Sequence, residues 1–112
     1  MLQFTDNTLG NALVIAAKGR IDNTTANLFE AHCSKALADG AKNVILDFED
    51  LQFLSSAGLR GILLLAKRLK ANGGKLVFCS IGDAIREIFE IAGFDEMFPI
   101  YANLEAATAE AV

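Results

Sequence analysis

Short runs rich in valine, isoleucine and leucine alternate along this 112-residue chain with longer runs of helical period, and glycine or asparagine punctuates most junctions. That alternation constrains the fold most, because strands bury side chains at a period of about two and helices at about 3.6. Residues 2–5 read as a first strand, Asp6-Asn7-Thr8 and Gly10-Asn11 as turn residues, and residues 12–18 as a second strand, which predicts an antiparallel hairpin. Residues 19–25 offer several helix N-caps. Phe29, Cys33, Ala36 and Leu37 then recur at helical spacing over residues 25–39, and Gly40 ends that helix. Residues 43–48 read as a buried strand, residues 51–54 as a short link, and residues 57–71 as the clearest helix, stopped by Asn72-Gly73-Gly74. Residues 75–79 form another short strand. Ile85, Ile88, Phe89 and Ala92 place a helix between Gly82-Asp83 and Gly93, residues 98–101 read as an edge strand, and Asn103 caps a final helix over residues 103–112. The expectation is one α/β domain over residues 1–112, a mixed sheet with an N-terminal hairpin and later parallel strands, covered by about four helices.

Composition excludes several classes of function. A 53% hydrophobic content with a single proline describes a chain that folds on its own core, without a metal or disulfide staple. The apolar stretch 62–66 is closed by Lys67 and Arg68, far short of the roughly 18 residues of a membrane span, so no membrane insertion is expected. The N-terminus lacks a basic region followed by an apolar block, which points to the cytoplasm. Cys33 and Cys79 show no metal or redox spacing and read as buried thiols. His32 and Cys33 are adjacent in a helix and diverge by about 100°, which disfavours a nucleophile–base pair. With no nucleophile-elbow serine, phosphate loop or dinucleotide glycine motif, the expectation is no enzyme, no catalytic residue, no metal and no cofactor.

Charge is unevenly distributed. The net charge is −4, yet residues 51–82 hold five bases (Arg60, Lys67, Arg68, Lys70, Lys75) and no acid. Such a patch can steer an anionic partner, but without exposed stacking aromatics it does not predict direct nucleic-acid binding. On a helical wheel of residues 57–71, Leu59, Ile62, Leu63, Ala66 and Leu69 make the buried stripe. Ala57, Arg60, Gly61, Leu64, Lys67 and Arg68 share the opposite face. Gly61 beside an outward Leu64 makes a basic-rimmed notch that suits a partner's helix, or else accommodates a neighbouring element of the same chain. Ser55 and Ser56 stand at the helix start, where serine caps free N–H groups and where a phosphate would be favoured electrostatically.

The run from Asp47 to Arg60, Asp-Phe-Glu-Asp-Leu-Gln-Phe-Leu-Ser-Ser-Ala-Gly-Leu-Arg, resembles the signature of STAS domains, specifically the bacterial anti-sigma factor antagonists. Gly19-Arg20-Ile21-Asp22, residues 72–76, and Ile91-Ala92-Gly93-Phe94 with Phe98 and Ile100 resemble other parts of the same family in the same order. The resemblance implies a partner switch. The unphosphorylated antagonist binds an anti-sigma factor that is also a serine kinase and so frees a sigma factor or other client; phosphorylation releases it, and a metal-dependent serine phosphatase restores it. The family's phosphorylated serine falls on Ser56, and Asp22 falls where the family places an acidic residue near it, unless Asp22 serves only to cap the first helix. The usual Asp-Ser-[Ser/Thr]-Gly reads Ser55-Ser56-Ala57-Gly58 here, which makes Ser55 a second candidate hydroxyl. The partner face then comprises Asp22, Ser55, Ser56, Ala57, Arg60, Gly61 and Leu64. Two alternatives within the same fold are a constitutive scaffold subunit of a transport or stress-signalling complex, and nucleotide binding, which the missing phosphate loop disfavours.

Overall fold

The computed structural model describes residues 1–111, in the order β1 (Gln3–Leu9), β2 (Ala12–Ile21), α1 (Ala26–Ala38), β3 (Asn43–Asp47), β4 (Leu51–Leu54), α2 (Ser56–Ala71), β5 (Lys75–Cys79), α3 (Asp83–Ala92), α4 (Phe94–Met97), β6 (Ile100–Tyr101) and α5 (Leu104–Ala111). Strands β1-β2-β3-β5-β6 lie side by side in that order, and β4 branches off to pair with β2. Among the described residues only the β1–β2 hairpin is antiparallel; β2–β3, β2–β4, β3–β5 and β5–β6 are parallel, which the helical crossovers allow.

The expected mixed α/β sheet is present, and the differences have physical reasons. Asp6, Asn7 and Thr8 are strand rather than turn, because they pair with Ile15, Val14 and Leu13 while Gly10, at φ 59°, and Asn11 alone make the turn. Paired backbone outweighs the turn preference of those side chains. The link at 51–54 is a strand: β2 runs on to Ile21, past a register shift at Gly19/Arg20, and offers β4 a parallel partner. Phe98 and Pro99 stand outside β6, and Phe98 instead packs on Phe78 and Phe94, each at 5.4 Å between ring centres. A fifth helix, the single turn α4, follows Gly93, whose φ of 79° makes it the left-handed end of α3. Asn103 caps α5 as expected, its Oδ1 accepting from the Ala106 N–H at 2.8 Å; Val112 lies outside the described residues.

The main core lies between the sheet and α1 to α4. Phe29 and Cys33 of α1, Ile62, Leu65 and Leu69 of α2, Ile85 and Phe89 of α3 and Phe94 of α4 meet Ile15, Ile21, Leu46 and Phe78 there. The other face buries Val14, Ile45, Val77 and Cys79 under Ala107 of α5. Both thiols are buried, and desolvation pushes them up to about 12 for Cys33 and about 11 for Cys79. His32 lies 2.7 Å from Asp6 and stacks on Phe4 at 4.1 Å between ring centres, so it fastens α1 to the hairpin.

Candidate functional site

β2 and β4 end together. Ile21 is the register partner of Leu54, and the Ser55 N–H donates to the Ile21 carbonyl at 2.8 Å. This bond sets the serine pair directly beside the turn that begins at Asp22. Ser55 is extended, with φ −87° and ψ 171°, and its Oγ accepts from the Gly58 N–H at 3.2 Å. Ser55 is therefore the N-cap and Ser56 the first helical residue. Of the two serines at the helix start, Ser55 is the one that caps: its hydroxyl is engaged and half-buried, whereas Ser56 is exposed and its hydroxyl has no hydrogen-bond partner among the described residues. The N–H groups of Ser56 and Ala57 lack intrahelical acceptors because they begin the helix, and the α2 dipole adds positive potential there.

Gly58 explains how the helix starts so near the strand ends. A side chain at that position would stand 2.6 Å from Leu54 Cδ1 and 2.7 Å from Ile21 Cγ2, both on buried residues. Glycine is required by that approach.

Asp22 does not cap α1 directly; Thr25 is the N-cap residue and its side chain bonds elsewhere. The Asp22 carboxylate instead closes an Asx turn. Its Oδ1 accepts from the Thr24 and Thr25 hydroxyls at 2.7 and 3.2 Å and from the Thr24 and Thr25 N–H groups at 2.9 and 3.1 Å. The Thr24 hydroxyl bond is the leading cause that holds the Asp22 carboxyl below its usual 3.8, followed by the Thr24 backbone bond. Arg20 Nε stands 3.8 Å from the same carboxylate, and its guanidinium lies 4.5 Å from the centre of the Phe53 ring. Arg20 and Phe53 were not singled out from the sequence. The signal was available only through the β2–β4 pairing, which makes them direct register partners.

Along α2, Ala57 is half-buried, and Arg60, Leu64, Lys67 and Arg68 are exposed as expected. Gly61 is not. It is buried against α1, where a side chain would meet Glu30 Cγ at 3.1 Å and the Phe29 ring at 3.3 Å. The buried stripe is turned accordingly toward α1, with Leu65 inside and Leu59, Leu63 and Ala66 only half-buried. The wheel considered one packing surface, whereas α2 packs on two, the sheet and α1. Gly61, Leu64, Leu65 and Arg68 still line a groove of about 180 Å³ with Cys33, Ser34 and Leu37 of α1, and Arg68 Nη1 donates to Ser34 Oγ at 3.0 Å. No group of three or more His, Cys, Asp or Glu side chains able to hold a metal occurs among the described residues, and no described helix is long and apolar enough to cross a membrane.

A mixed sheet with four helices on one face, a fifth on the other, and a serine-capped helix beside an Asx turn defines the class. The chain belongs to the STAS domain family, whose signature matches residues 3–107. It is 36% identical over 108 residues to BtrV of Bordetella bronchiseptica, provisionally described as an anti-sigma factor antagonist, covering 96% of this chain and 93% of that one. The anti-sigma F factor antagonist of Paenibacillus polymyxa is 25% identical over 99 residues, covering 88% and 85%. Among solved structures, the anti-sigma factor antagonist SpoIIAA in its unphosphorylated form superposes with a TM-score of 0.81 at 25% identity, covering 94% of this chain and 92% of that one.

Proposed function

We propose that this chain is an anti-sigma factor antagonist, a regulatory binding protein whose partner is an anti-sigma factor with serine-kinase activity and whose binding is switched off by phosphorylation of Ser56. The observation that carries the reading is the division of labour between the two serines. Ser55 holds the helix cap, so Ser56 is exposed at the first helical position with a hydroxyl that the fold does not use. Asp22, Ser55, Ala57, Arg60 and Leu64 surround or follow that position on one end and one outer face of α2, and buried Gly61 sets the floor of the adjoining groove rather than touching solvent.

The energetics suit a switch. A phosphate adds about −1.5 to −2 charge at neutral pH, and the free N–H groups at the start of α2 tolerate it in the unbound protein. Inside a dry contact the same charge without a matched cation costs several kcal/mol, and about 2.7 kcal/mol is enough for a hundredfold loss of affinity. A metal-dependent serine phosphatase would reverse the modification.

Incubation with the cognate kinase and ATP, followed by peptide mapping, tests the assignment. Phosphate is expected on Ser56, not Ser55, and Ser56→Asp is expected to weaken partner binding about a hundredfold. Phosphate absent from Ser56, together with unchanged affinity of the Ser56→Asp chain, overturns the switch.

A further inference from the structure

Two surfaces of opposite charge lie on the helices of the main layer, each built round exposed aliphatic side chains. On the outer face of α2, Arg60, Leu64 and Lys67 follow one another at helical spacing, with Lys70 a further turn on. Among the described residues no carboxylate lies within 4.0 Å of any of these three bases, and residues 51–82 contain no acid. The second surface is the corner made by α3 and α4. Glu87 and Ile91 stand one turn apart on α3, Glu90 lies beside them, and α4 adds Asp95, Glu96 and Met97. Its carboxylates are likewise without ion-pair partners among the described residues. Leu64 is 46% exposed, Ile91 82% and Met97 56%.

Both surfaces leave apolar side chains in water, Ile91 most of all. An isoleucine left in water among unpaired carboxylates gains nothing by burial, and clustered like charges repel one another. The two surfaces cannot meet within one chain, because Ile62, Leu65 and Leu69 seat α2 on the sheet and Ile85 and Phe89 seat α3 there.

We propose that two copies of this chain associate through these surfaces, the Arg60–Leu64–Lys67 face of one against the Glu87–Glu90–Ile91 corner of the other. The two surfaces are distinct and complementary, so a twofold axis relating the copies would make the contact reciprocal and close the pair. The contact is small and charge-rimmed, the kind that is weak and salt-sensitive. It shares the outer face of α2 with the reading above, so a self-associated copy is withheld from its partner, but it does not depend on phosphorylation of Ser56.

Sedimentation equilibrium of the full chain tests it. A monomer–dimer constant on the order of 100 µM is expected in about 50 mM NaCl, weakened roughly tenfold or more at about 500 mM as screening shortens. Ile91→Ser, which leaves the charge unchanged, is expected to weaken it at least about tenfold. The pair Arg60→Glu with Lys67→Glu, and separately Glu87→Lys with Glu90→Lys, are each expected to leave monomers. An equimolar mixture of those two charge-reversed chains is expected to form a one-to-one complex, and adding Ile91→Ser to both is expected to weaken it at least about tenfold, which plain attraction between net charges would not do. A wild-type chain that stays monomeric to about 1 mM at low salt, a dimer indifferent to these substitutions, or a mixture that stays monomeric overturns the proposal. Phosphorylation of Ser56 is read separately at low micromolar concentration, where the chain is monomeric, so either proposal can fail without the other.

Discussion

Ser55 and Ser56 are chemically alike and adjacent, yet one hydroxyl closes the helix and the other is spare. Ser55→Ala is expected to cost about 1 kcal/mol through the lost cap, while Ser56→Ala stays within about 0.5 kcal/mol of wild type; urea unfolding of the two variants checks both. Asp22 carries a second residue-scale expectation. Its carboxylate accepts four bonds from Thr24 and Thr25, and its native pKa lies below 3.8. Below that value the unfolded chain binds the proton first, so the stability due to the turn is present above about pH 4 and is lost as pH falls through the native pKa. The stability gap between wild type and Asp22→Ala is therefore expected to be constant near neutrality and to close in acid. A gap that persists unchanged to about pH 2 would show that the ionised carboxylate is not what holds the turn.

At the scale of elements, the seat of α2 decides where the candidate site lies. Gly58→Ala gains about 1 kcal/mol of helix propensity but drives a methyl into Ile21 and Leu54, so a net loss of about 1–3 kcal/mol is expected by thermal or urea unfolding. A neutral or stabilising result would mean that the first turn of α2 can lift from the strands at no cost. Helices α1, α2 and α3 were legible in the sequence because each carries a regular apolar stripe ended by glycine or asparagine. β4 and α4 were not, since four residues hold too little periodicity to separate strand, turn and link. The same limit hid Arg20 and Phe53, which become neighbours only when β4 pairs with the far end of β2.

For the whole molecule, one aromatic joins the layers. Phe78 of β5 touches Phe48, Phe89 and Phe98 at 5.6, 5.0 and 5.4 Å between ring centres, and its N–H donates to the Pro99 carbonyl at 3.0 Å beside β6. Phe78→Ala is expected to cost roughly 3–5 kcal/mol and to loosen the α3–α4–β6 segment first, read as loss of hydrogen-exchange protection there before the hairpin. Uniform loss across the chain would show that the domain has no weaker part.

The N-terminal hairpin, the alternation of longer helices with parallel strands, the buried thiols and the position of the serine pair at a helix start follow from the sequence alone, because periodicity, caps and glycine stops are local properties of the chain. Which serine caps, which side of Gly61 is covered, and which residues stand beside Asp22 were decided only by tertiary structure. Each depends on the distance between elements that are far apart in sequence, and a helical wheel contains no information about what approaches it from a second side.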